Sequence, residues 1–373
     1  MPAAAVVVTL MCTLALGAVI WIPPNPPGTS SSTSSISSSS STSSPSTTTT
    51  TSTVPPFNGD WYNLRGPYYP WQWTEWHPDQ SGSTSPEWTF SQFRQLGWNL
   101  VRMDMGSWYL YSNSTTHASF MANMTRVFDA ADANGVYVVF QPIPAYGELP
   151  SDVRAAWLLS TWWGHWWAND TYPGTDPALR GLGIWQAFFK GYTLPMLQAF
   201  GNRPSMLMLK FINEPNSPSN GVLATFYATM GRLARTQAGW TGYISYESSG
   251  GRRGEAGLII DILSRYPNFG PAVYDIHYPT ADQVVSDAQA AAALGVRLWV
   301  GEMYASWLTS TYVGDFRQYN VASCINRWDE DGTYLVKWSG GWRTAPTPGT
   351  PTVEATTVSN LDTQYLGTAV FFR

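Results

Sequence analysis

Cysteine and histidine are scarce in this sequence of 373 residues, which has two cysteines and four histidines. Cys12 falls in an apolar N-terminal run, so only Cys324 is left for the rest of the chain. Neither a disulfide framework nor a cysteine-based metal site is therefore predicted. The histidines show no H-E-x-x-H pattern or comparable metal-ligand spacing. The sequence predicts a protein that requires no metal and no cofactor.

Charged residues are also few, at 12% of the chain, with a formal net charge of −5. Because the sequence has neither a basic footprint nor a strongly acidic tail, it excludes nucleic acid as a partner and favours a neutral or weakly charged ligand. Aromatic residues, in contrast, make up 15%, including 20 Trp and 20 Tyr. This is more than a core of this size needs, so some rings are expected in a cleft, where they can pack on the apolar faces of sugars.

The first 56 residues differ in composition from the rest of the chain. Residues 3–22 form an uncharged apolar run about as long as a helix that spans a bilayer, and they are either a signal peptide or a membrane anchor. Residues 23–56 are rich in Pro, Ser and Thr, which predicts a disordered, O-glycosylated linker. We therefore expect one catalytic domain over residues 57–373 and an extracellular protein that is either secreted or tethered to the membrane through residues 3–22.

Beyond Phe57, short apolar runs alternate with stretches of helical period, the pattern of βα units and a parallel sheet. Eight strands are predicted, at residues 61–65, 100–105, 136–141, 206–212, 242–247, 272–277, 297–302 and 334–338. The predicted helices include residues 86–96, 118–134, 184–200, 221–237, 255–266, 281–294 and 315–329. Eight strands with intervening helices predict an α/β fold, a closed (β/α)8 TIM barrel. No glycine-rich phosphate fingerprint follows the first strand, which argues against a dinucleotide fold.

Two glutamates end predicted strands on the face where such a barrel carries its active site. Glu214 follows the fourth strand in MLMLKFINEPN, and Glu302 ends the seventh in VRLWVGEMY. A carboxylate directly after a buried strand costs stability unless it is paired or used. An ion pair with a nearby arginine would explain one of them but is a poor account of both. Strands four and seven lie on opposite sides of the ring, so the carboxyls can face each other, as retaining cleavage of a glycosidic bond requires.

The segments FINEPN, YDIHYP, VGEMY and TYLVKWSGGW, in this order, resemble the clan A glycoside hydrolases, most closely family 5. The resemblance covers residues 57–342. It implies that Glu214 is the acid/base and Glu302 the nucleophile. It also implies that Arg102 keeps the nucleophile ionised, that Asn213 binds the sugar 2-hydroxyl, and that Trp338, from strand eight, lies beneath the sugar next to the scissile bond.

Two positions depart from the family pattern. Family 5 members usually have one residue between a His and a Tyr after strand six, whereas His277 and Tyr278 are adjacent here. Both are predicted to belong to the substrate-binding site, with Tyr278 as hydrogen-bond donor to the nucleophile; the alternative for His277 is a supporting residue at the barrel rim. Many members have a His at the end of strand three, where this chain has Gln141. These departures indicate a divergent branch.

Aromatic residues cluster after predicted strands one and three. Trp71, Trp73, Trp162 and Trp166 are candidate platforms for sugar subsites, and packing of the long third loop onto the barrel is the alternative. The sequence predicts a monomeric, retaining endo-β-1,4-glucanase that acts on a β-linked polysaccharide or oligosaccharide. A β-1,4-mannanase or an exo-β-glycosidase on the same fold is an alternative. A non-catalytic carbohydrate-binding protein at the cell surface is another, because fold alone does not imply activity.

Overall fold

The structure is a computed structural model. It describes residue 57 and residues 59–70, 85–104, 114–142, 162–304 and 308–325, together with positions 336–337, 350–351, 360 and 363–364. The predicted N-terminal segment and the linker lie outside these residues, so the domain organisation stays a prediction. Among the helices of the described part, none is both long and apolar enough to cross a membrane.

Eight parallel strands close into a barrel, each paired with its neighbours in chain order and the last paired with the first. The strands are β1 (Arg65–Pro70), β2 (Leu100–Asp104), β3 (Tyr137–Gln141), β4 (Met206–Lys210), β5 (Tyr243–Glu247), β6 (Ala272–His277), β7 (Arg297–Met303) and β8 (Ala322–Ile325). The (β/α)8 TIM barrel that the alternating pattern predicts is therefore confirmed.

Helices accompany the strands along the described chain. They are α1 (Pro86–Gln95), α2 (Ser114–Asn134), α3 (Trp162–Ala168), α4 (Ile184–Phe188), α5 (Leu194–Phe200), α6 (Asn220–Gln237), α7 (Leu258–Arg265), α8 (Ala281–Ala293) and α9 (Ser310–Gln318). Local sequence sets several starts, because a capping side chain satisfies N–H groups that the first turn leaves unpaired. Ser219 accepts the N–H of Val222 ahead of α6, and Thr280 forms a capping box with Gln283 at α8.

The eighth strand was predicted in the wrong place. Residues 315–329 were expected to be helical, but the helix ends at Gln318 and Ala322–Ile325 form β8. The helix stop is hidden in the sequence because Asn320, not a glycine, adopts the left-handed conformation there, at φ 57°. Val336–Lys337, within the strand expected at 334–338, pair antiparallel with Thr350–Pro351 in a separate sheet.

The first strand also begins later than predicted. Trp61–Asn63 form a short 3-10 helix, and β1 starts at Arg65. The apolar character of this stretch has another cause: Trp61 is fully buried, and its ring nitrogen donates to the carbonyl of Leu298 at 2.9 Å. A buried, hydrogen-bonded aromatic that precedes the strand therefore looks like a strand residue in the sequence.

The core explains where many of the aromatic residues go. One apolar cluster includes Trp61, Leu64, Trp299 and residues of other barrel strands, and a larger one includes residues of the strands and the surrounding helices. Trp166 is fully buried, with its ring edge-on to Phe188 at 5.0 Å, so packing accounts for it and it is not a sugar platform. Trp71, Trp73 and the side chain of Trp162 lie outside the described residues.

Candidate active site

Two glutamates face each other at the carboxyl ends of the barrel strands. Glu214 follows β4 and Glu302 lies in β7. One carboxylate oxygen of each, together with a ring nitrogen of His277, lie within 4.8 Å of one another. Glu302 is 5% exposed, and the side chain of Glu214 is 24% exposed. The pair therefore combines one buried carboxylate with one that solvent reaches.

Arg102 of β2 holds one oxygen of Glu302. Its Nη1 donates to Glu302 Oε1 at 2.8 Å and to the carbonyl of Gly301 at 3.1 Å. Both the guanidinium and the carboxylate are buried, so water screens this ion pair little. Arg102 thus stabilises the charge of Glu302 and fixes its orientation. It lies next to Glu302, as the family resemblance implies.

Other side chains fix Arg102 in turn. Gln141, at the end of β3, accepts from its Nη2 at 2.8 Å and its Nε at 3.2 Å. Asn213 Oδ1 also accepts from Nη2, and the ring of Tyr68 lies 4.3 Å from the guanidinium carbon. Gln141, where the family often has a histidine, therefore serves here as a hydrogen-bond acceptor for Arg102.

Tyr278 holds the other oxygen of Glu302, although the usual spacer after His277 is missing. Its hydroxyl donates to Glu302 Oε2 at 2.8 Å, and its backbone N–H donates to the Glu302 carbonyl at 2.8 Å. The backbone of Tyr278 is left-handed, at φ 46°, and the register between β6 and β7 shifts at His277. Arg253 supports this strained segment, since its Nη1 donates to the carbonyls of His277 and Tyr278 at 2.6 and 2.7 Å.

These contacts keep Glu302 ionised. Burial alone would raise its pKa, but the charges of His277 and Arg102 and the hydrogen bond from Tyr278 outweigh burial and lower the pKa to about 2. Burial and the charge of Glu302 raise the pKa of the Tyr278 hydroxyl well above its ordinary value, so Tyr278 stays a proton donor. Glu302 is therefore an ionised carboxylate at neutral pH.

His277 lies between the two glutamates. Its Nδ1 is 2.9 Å from Glu214 Oε1 and 3.7 Å from Glu302 Oε1, and the side chain is 1% exposed. Burial alone would lower its pKa, but the negative charges of Glu247, Glu302 and Asp275 raise it to about 10. His277 is thus an imidazolium in direct contact with Glu214, and its burial fits the alternative of a residue that supports the site; its predicted contact with the substrate stays a prediction.

A second buried ion cluster next to His277 was missed by the sequence reasoning. Lys210 Nζ donates to Glu247 Oε2 at 2.6 Å and also to Asp275 Oδ2. Burial would raise the pKa of Asp275, but Lys210 and His277 hold it well below its ordinary range. A signal for Glu247 was present, because it ends β5 in the same way that Glu302 lies near the end of β7.

Two sets of side chains in this region are close enough to hold a metal ion. One is Glu214, His277 and Glu302, and the other is Glu247, Asp275 and His277. Protein cations already neutralise these carboxylates: Arg102 pairs with Glu302, and Lys210 pairs with the carboxylates of the second set. We therefore assign no metal ion to either set, and the predicted independence from metals and cofactors stays a prediction.

The structure brings together six of the seven predicted site residues. Glu214, Glu302, Arg102, Asn213, His277 and Tyr278 form one connected network. The seventh, Trp338, lies outside the described residues. Its expected place in an eighth strand at residues 334–338 is wrong, because β8 is Ala322–Ile325, and its role in the site stays a prediction from the family resemblance.

A family model described as "Cellulase (glycosyl hydrolase family 5)" matches residues 56–246. No curated protein sequence matches the chain.

Several solved structures have a fold similar to that of this chain. Endo-glycoceramidase II from Rhodococcus sp. has a TM-score of 0.56 at 14% identity, over 79% of this chain and 78% of that one. A tri-modular endo-β-1,4-glucanase from Bacillus licheniformis has a TM-score of 0.52 at 14% identity, over 81% of this chain and 60% of that one. The mannohexaose complex of Thermomonospora fusca β-mannanase has a TM-score of 0.50 at 14% identity, over 74% and 82%. At such identities the likeness concerns the fold alone.

Proposed function

This chain belongs to glycosyl hydrolase family 5, a retaining family, and we propose that it is an extracellular endo-β-1,4-glucanase with Glu302 as nucleophile and Glu214 as acid/base. The observation that carries the proposed retaining mechanism is the separation of the two carboxyls, with oxygens within 4.8 Å. Retaining enzymes hold these groups about 5–5.5 Å apart, whereas inverting enzymes need about 6.5–9.5 Å to admit a water molecule. The close approach therefore favours direct attack by a carboxylate.

In the first step, Glu302 attacks the anomeric carbon and the bond to the leaving oxygen breaks. Glu214 gives its proton to that oxygen and becomes a carboxylate. Glu302 suits attack because it stays ionised, with its pKa lowered to about 2 by His277, Arg102 and Tyr278 against the effect of burial. Glu214 suits proton transfer because its side chain is partly exposed, where a leaving group can reach it.

In the second step, Glu214 takes a proton from water, whose oxygen attacks the anomeric carbon and releases Glu302. The sugar leaves with its original configuration after two inversions. Asn213 supports both steps: its Oδ1 accepts from Arg102, which directs its Nδ2 donor toward the sugar 2-hydroxyl. A hydrogen bond to this hydroxyl strengthens in the transition state and so lowers the barrier.

The proposed substrate is a β-1,4-glucan. The matching family model is described as a cellulase, and one of the solved structures with this fold is an endo-β-1,4-glucanase. The β-mannanase with the same fold corresponds to the alternative substrate, β-mannan. The weak net charge of −5 suits a neutral polysaccharide. The apolar N-terminal run and the Ser/Thr-rich linker support an extracellular location, where a polymer too large to import would be degraded.

The direct test is release of reducing sugars by the full-length protein from carboxymethylcellulose, mixed-linkage β-glucan, β-mannan and xylan. We expect hydrolysis of the two glucans, a rapid fall in their viscosity, and loss of activity in Glu302→Gln. Asp132→Asn is a matched control, because Asp132 Oδ1 accepts the N–H of Ser205 just before β4 begins, at the opposite end of that strand from Glu214. Hydrolysis of mannan alone, or sugar release without a fall in viscosity, would refute the endo-glucanase assignment. No hydrolysis of any polymer would favour a carbohydrate-binding protein.

A further inference from the structure

Glu247 is a third carboxylate of the site, and the mechanism above does not use it. It ends β5 and is fully buried. Burial raises its pKa, whereas the charges of His277 and Lys210 act in the opposite direction. Burying a carboxylate costs free energy unless its charge is paired and its oxygens accept hydrogen bonds. The contacts of the two oxygens of Glu247 therefore indicate the role of this residue.

One oxygen of Glu247 holds the backbone of Glu214. The N–H of Glu214 donates to Glu247 Oε2 at 3.0 Å, and the same oxygen accepts from Lys210 at 2.6 Å. Glu214 is a non-glycine residue in the left-handed region, at φ 43°. Such a conformation is strained and persists only where surrounding contacts hold it. Glu247 therefore fixes the backbone that aims the Glu214 side chain.

The other oxygen of Glu247 faces His277. Oε1 lies 3.4 Å from His277 Nε2, and it has no hydrogen-bond partner within ordinary geometry among the described residues. The opposite ring nitrogen, Nδ1, is 2.9 Å from Glu214 Oε1. The ring of His277 thus connects the buried carboxylate of Glu247 to the partly exposed carboxylate of Glu214.

Other charged groups also surround His277. From β6, Asp275 Oδ1 is 3.6 Å from Nε2, and Asp275, like Glu247, binds Lys210 through its other oxygen, so the two carboxylates share His277 as a counter-ion. Glu247 differs from Asp275 in that it also accepts the backbone N–H of Glu214. From β2, Arg102 Nη1 lies 3.5 Å from Nε2 and repels an imidazolium. From β7, Glu302 is bound to Arg102. Beside Glu247 itself, the neutral hydroxyl of Tyr227 from α6 accepts its backbone N–H.

We infer that Glu247 is a positioning residue for the reaction, which fixes the backbone of Glu214 and keeps His277 cationic through both steps. The inference rests on the proposed function. When Glu214 gives up its proton, a cationic His277 stabilises the carboxylate that forms. In the covalent intermediate Glu302 is an ester without charge, so Glu247 and Asp275 are then the remaining buried counter-ions of His277.

The experiment compares Glu247→Gln with Glu247→Asp in the full-length protein. Glutamine keeps an acceptor for the Glu214 N–H but removes the charge, whereas aspartate keeps the charge on a shorter side chain. The titration of His277 is followed by NMR on protein with 15N-labelled histidine and is assigned with His277→Gln. Because an opposite charge at this distance shifts a pKa by about 1–3 units, we expect the His277 midpoint to fall by about that amount in Glu247→Gln. Glu247→Asp should stay near the wild type.

Kinetics on the polymer that the wild type hydrolyses supply a second readout. We expect kcat of Glu247→Gln to fall by about tenfold or more with little change in KM, because the missing charge acts on proton transfer. Asp132→Asn, at the opposite end of β4 from Glu214, should leave kcat and the His277 titration unchanged. Circular dichroism confirms that each variant is folded before comparison.

Labelling with a 2-deoxy-2-fluoro-cellobiosyl fluoride, which traps the nucleophile of a retaining glucanase, separates the two hypotheses. A wild type that is labelled, together with a Glu247→Gln variant whose His277 midpoint and kcat match the wild type, overturns the inference and leaves the proposed function standing. A wild type that is neither labelled nor active on any polymer refutes the proposed function, and the inference with it.

Discussion

Replacing Tyr278 with phenylalanine tests how the ionised state of Glu302 is maintained. The substitution removes one hydroxyl, the donor to Glu302 Oε2 at 2.8 Å, and leaves the contact from Arg102 to the other oxygen intact. A donor to the carboxylate stabilises its charged form and so lowers its pKa. Loss of the donor must therefore raise the pKa of Glu302.

The size of the effect follows from the strength of the bond. A hydrogen bond to a charged group contributes about 1.5–3 kcal/mol, and about 1.4 kcal/mol corresponds to one pKa unit, so the pKa should rise by about 1–2 units. Starting from about 2 in the wild type, the pKa of Glu302 should reach roughly 3–4 in Tyr278→Phe. Activity that depends on the ionised form is lost as the pH falls through this value, so the variant should fail at a higher pH than the wild type.

The assay is the dependence of kcat/KM on pH, whose acid limb reports the ionisation of the nucleophile in the free enzyme. Tyr312→Phe is the matched control, because its hydroxyl donates to the carbonyl of Pro279 at 2.7 Å, next to the same segment, and no hydrogen bond of the described residues joins it to Glu302. Tryptophan fluorescence at each pH verifies that the protein is folded. An acid limb in Tyr278→Phe that coincides with those of the wild type and Tyr312→Phe would refute the reasoning.

Three further predictions concern the neighbouring groups. Glu214→Ala should lower kcat/KM by about 10²–10⁴-fold for a glycoside with a poor leaving group. The loss should be far smaller for a dinitrophenyl glycoside, because dinitrophenolate leaves without a proton. Equal losses for both substrates, or no glycosyl azide formed with added azide, would contradict the role of Glu214 as acid/base. Arg253→Met should move the acid limb of kcat/KM to higher pH, as Tyr278→Phe does, because Arg253 donates to the carbonyls of His277 and Tyr278. Arg253→Lys should show a smaller shift. An acid limb that does not move in Arg253→Met would mean that the left-handed turn does not need this contact. The pKa of His277 is raised from 6.5 to about 10 in the folded state, so its stabilising contribution is complete below pH 6.5 and is lost as the pH rises through about 10. Urea unfolding between pH 7 and 10 should show this loss, at up to about 1.4 kcal/mol per pH unit, and a smaller slope in His277→Gln; equal slopes would count against the charged state of His277.

Most of the fold could be predicted from the local pattern of apolar and polar residues. Apolar runs of four to seven residues mark most barrel strands, and amphipathic stretches with capping residues such as Thr280 and Gln283 mark helices between them. The pattern failed where a short strand followed a helix whose end is an asparagine in the left-handed conformation, at Asn320. That failure misplaced the eighth strand, at whose end Trp338 was expected to lie.

Sequence alone determined the residue types and the strand ends at which the chemistry is proposed. Glu214 and Glu302 each come at the end of an apolar run, and a carboxylate in that position is conspicuous because its burial is costly. Strand order in a closed barrel then predicts that the two lie on the same face. This part of the reasoning needs only the order of residues along the chain.

Only the tertiary structure decided how the charges are balanced. Tyr278 directly follows His277, and it reaches Glu302 because a left-handed turn, held by Arg253, redirects its side chain. Glu247 approaches His277 because β5 pairs with β6 in the barrel. These contacts join residues of different strands, and their strength depends on distance and burial. Neither quantity is encoded in any one segment, since both arise when the barrel closes and excludes water.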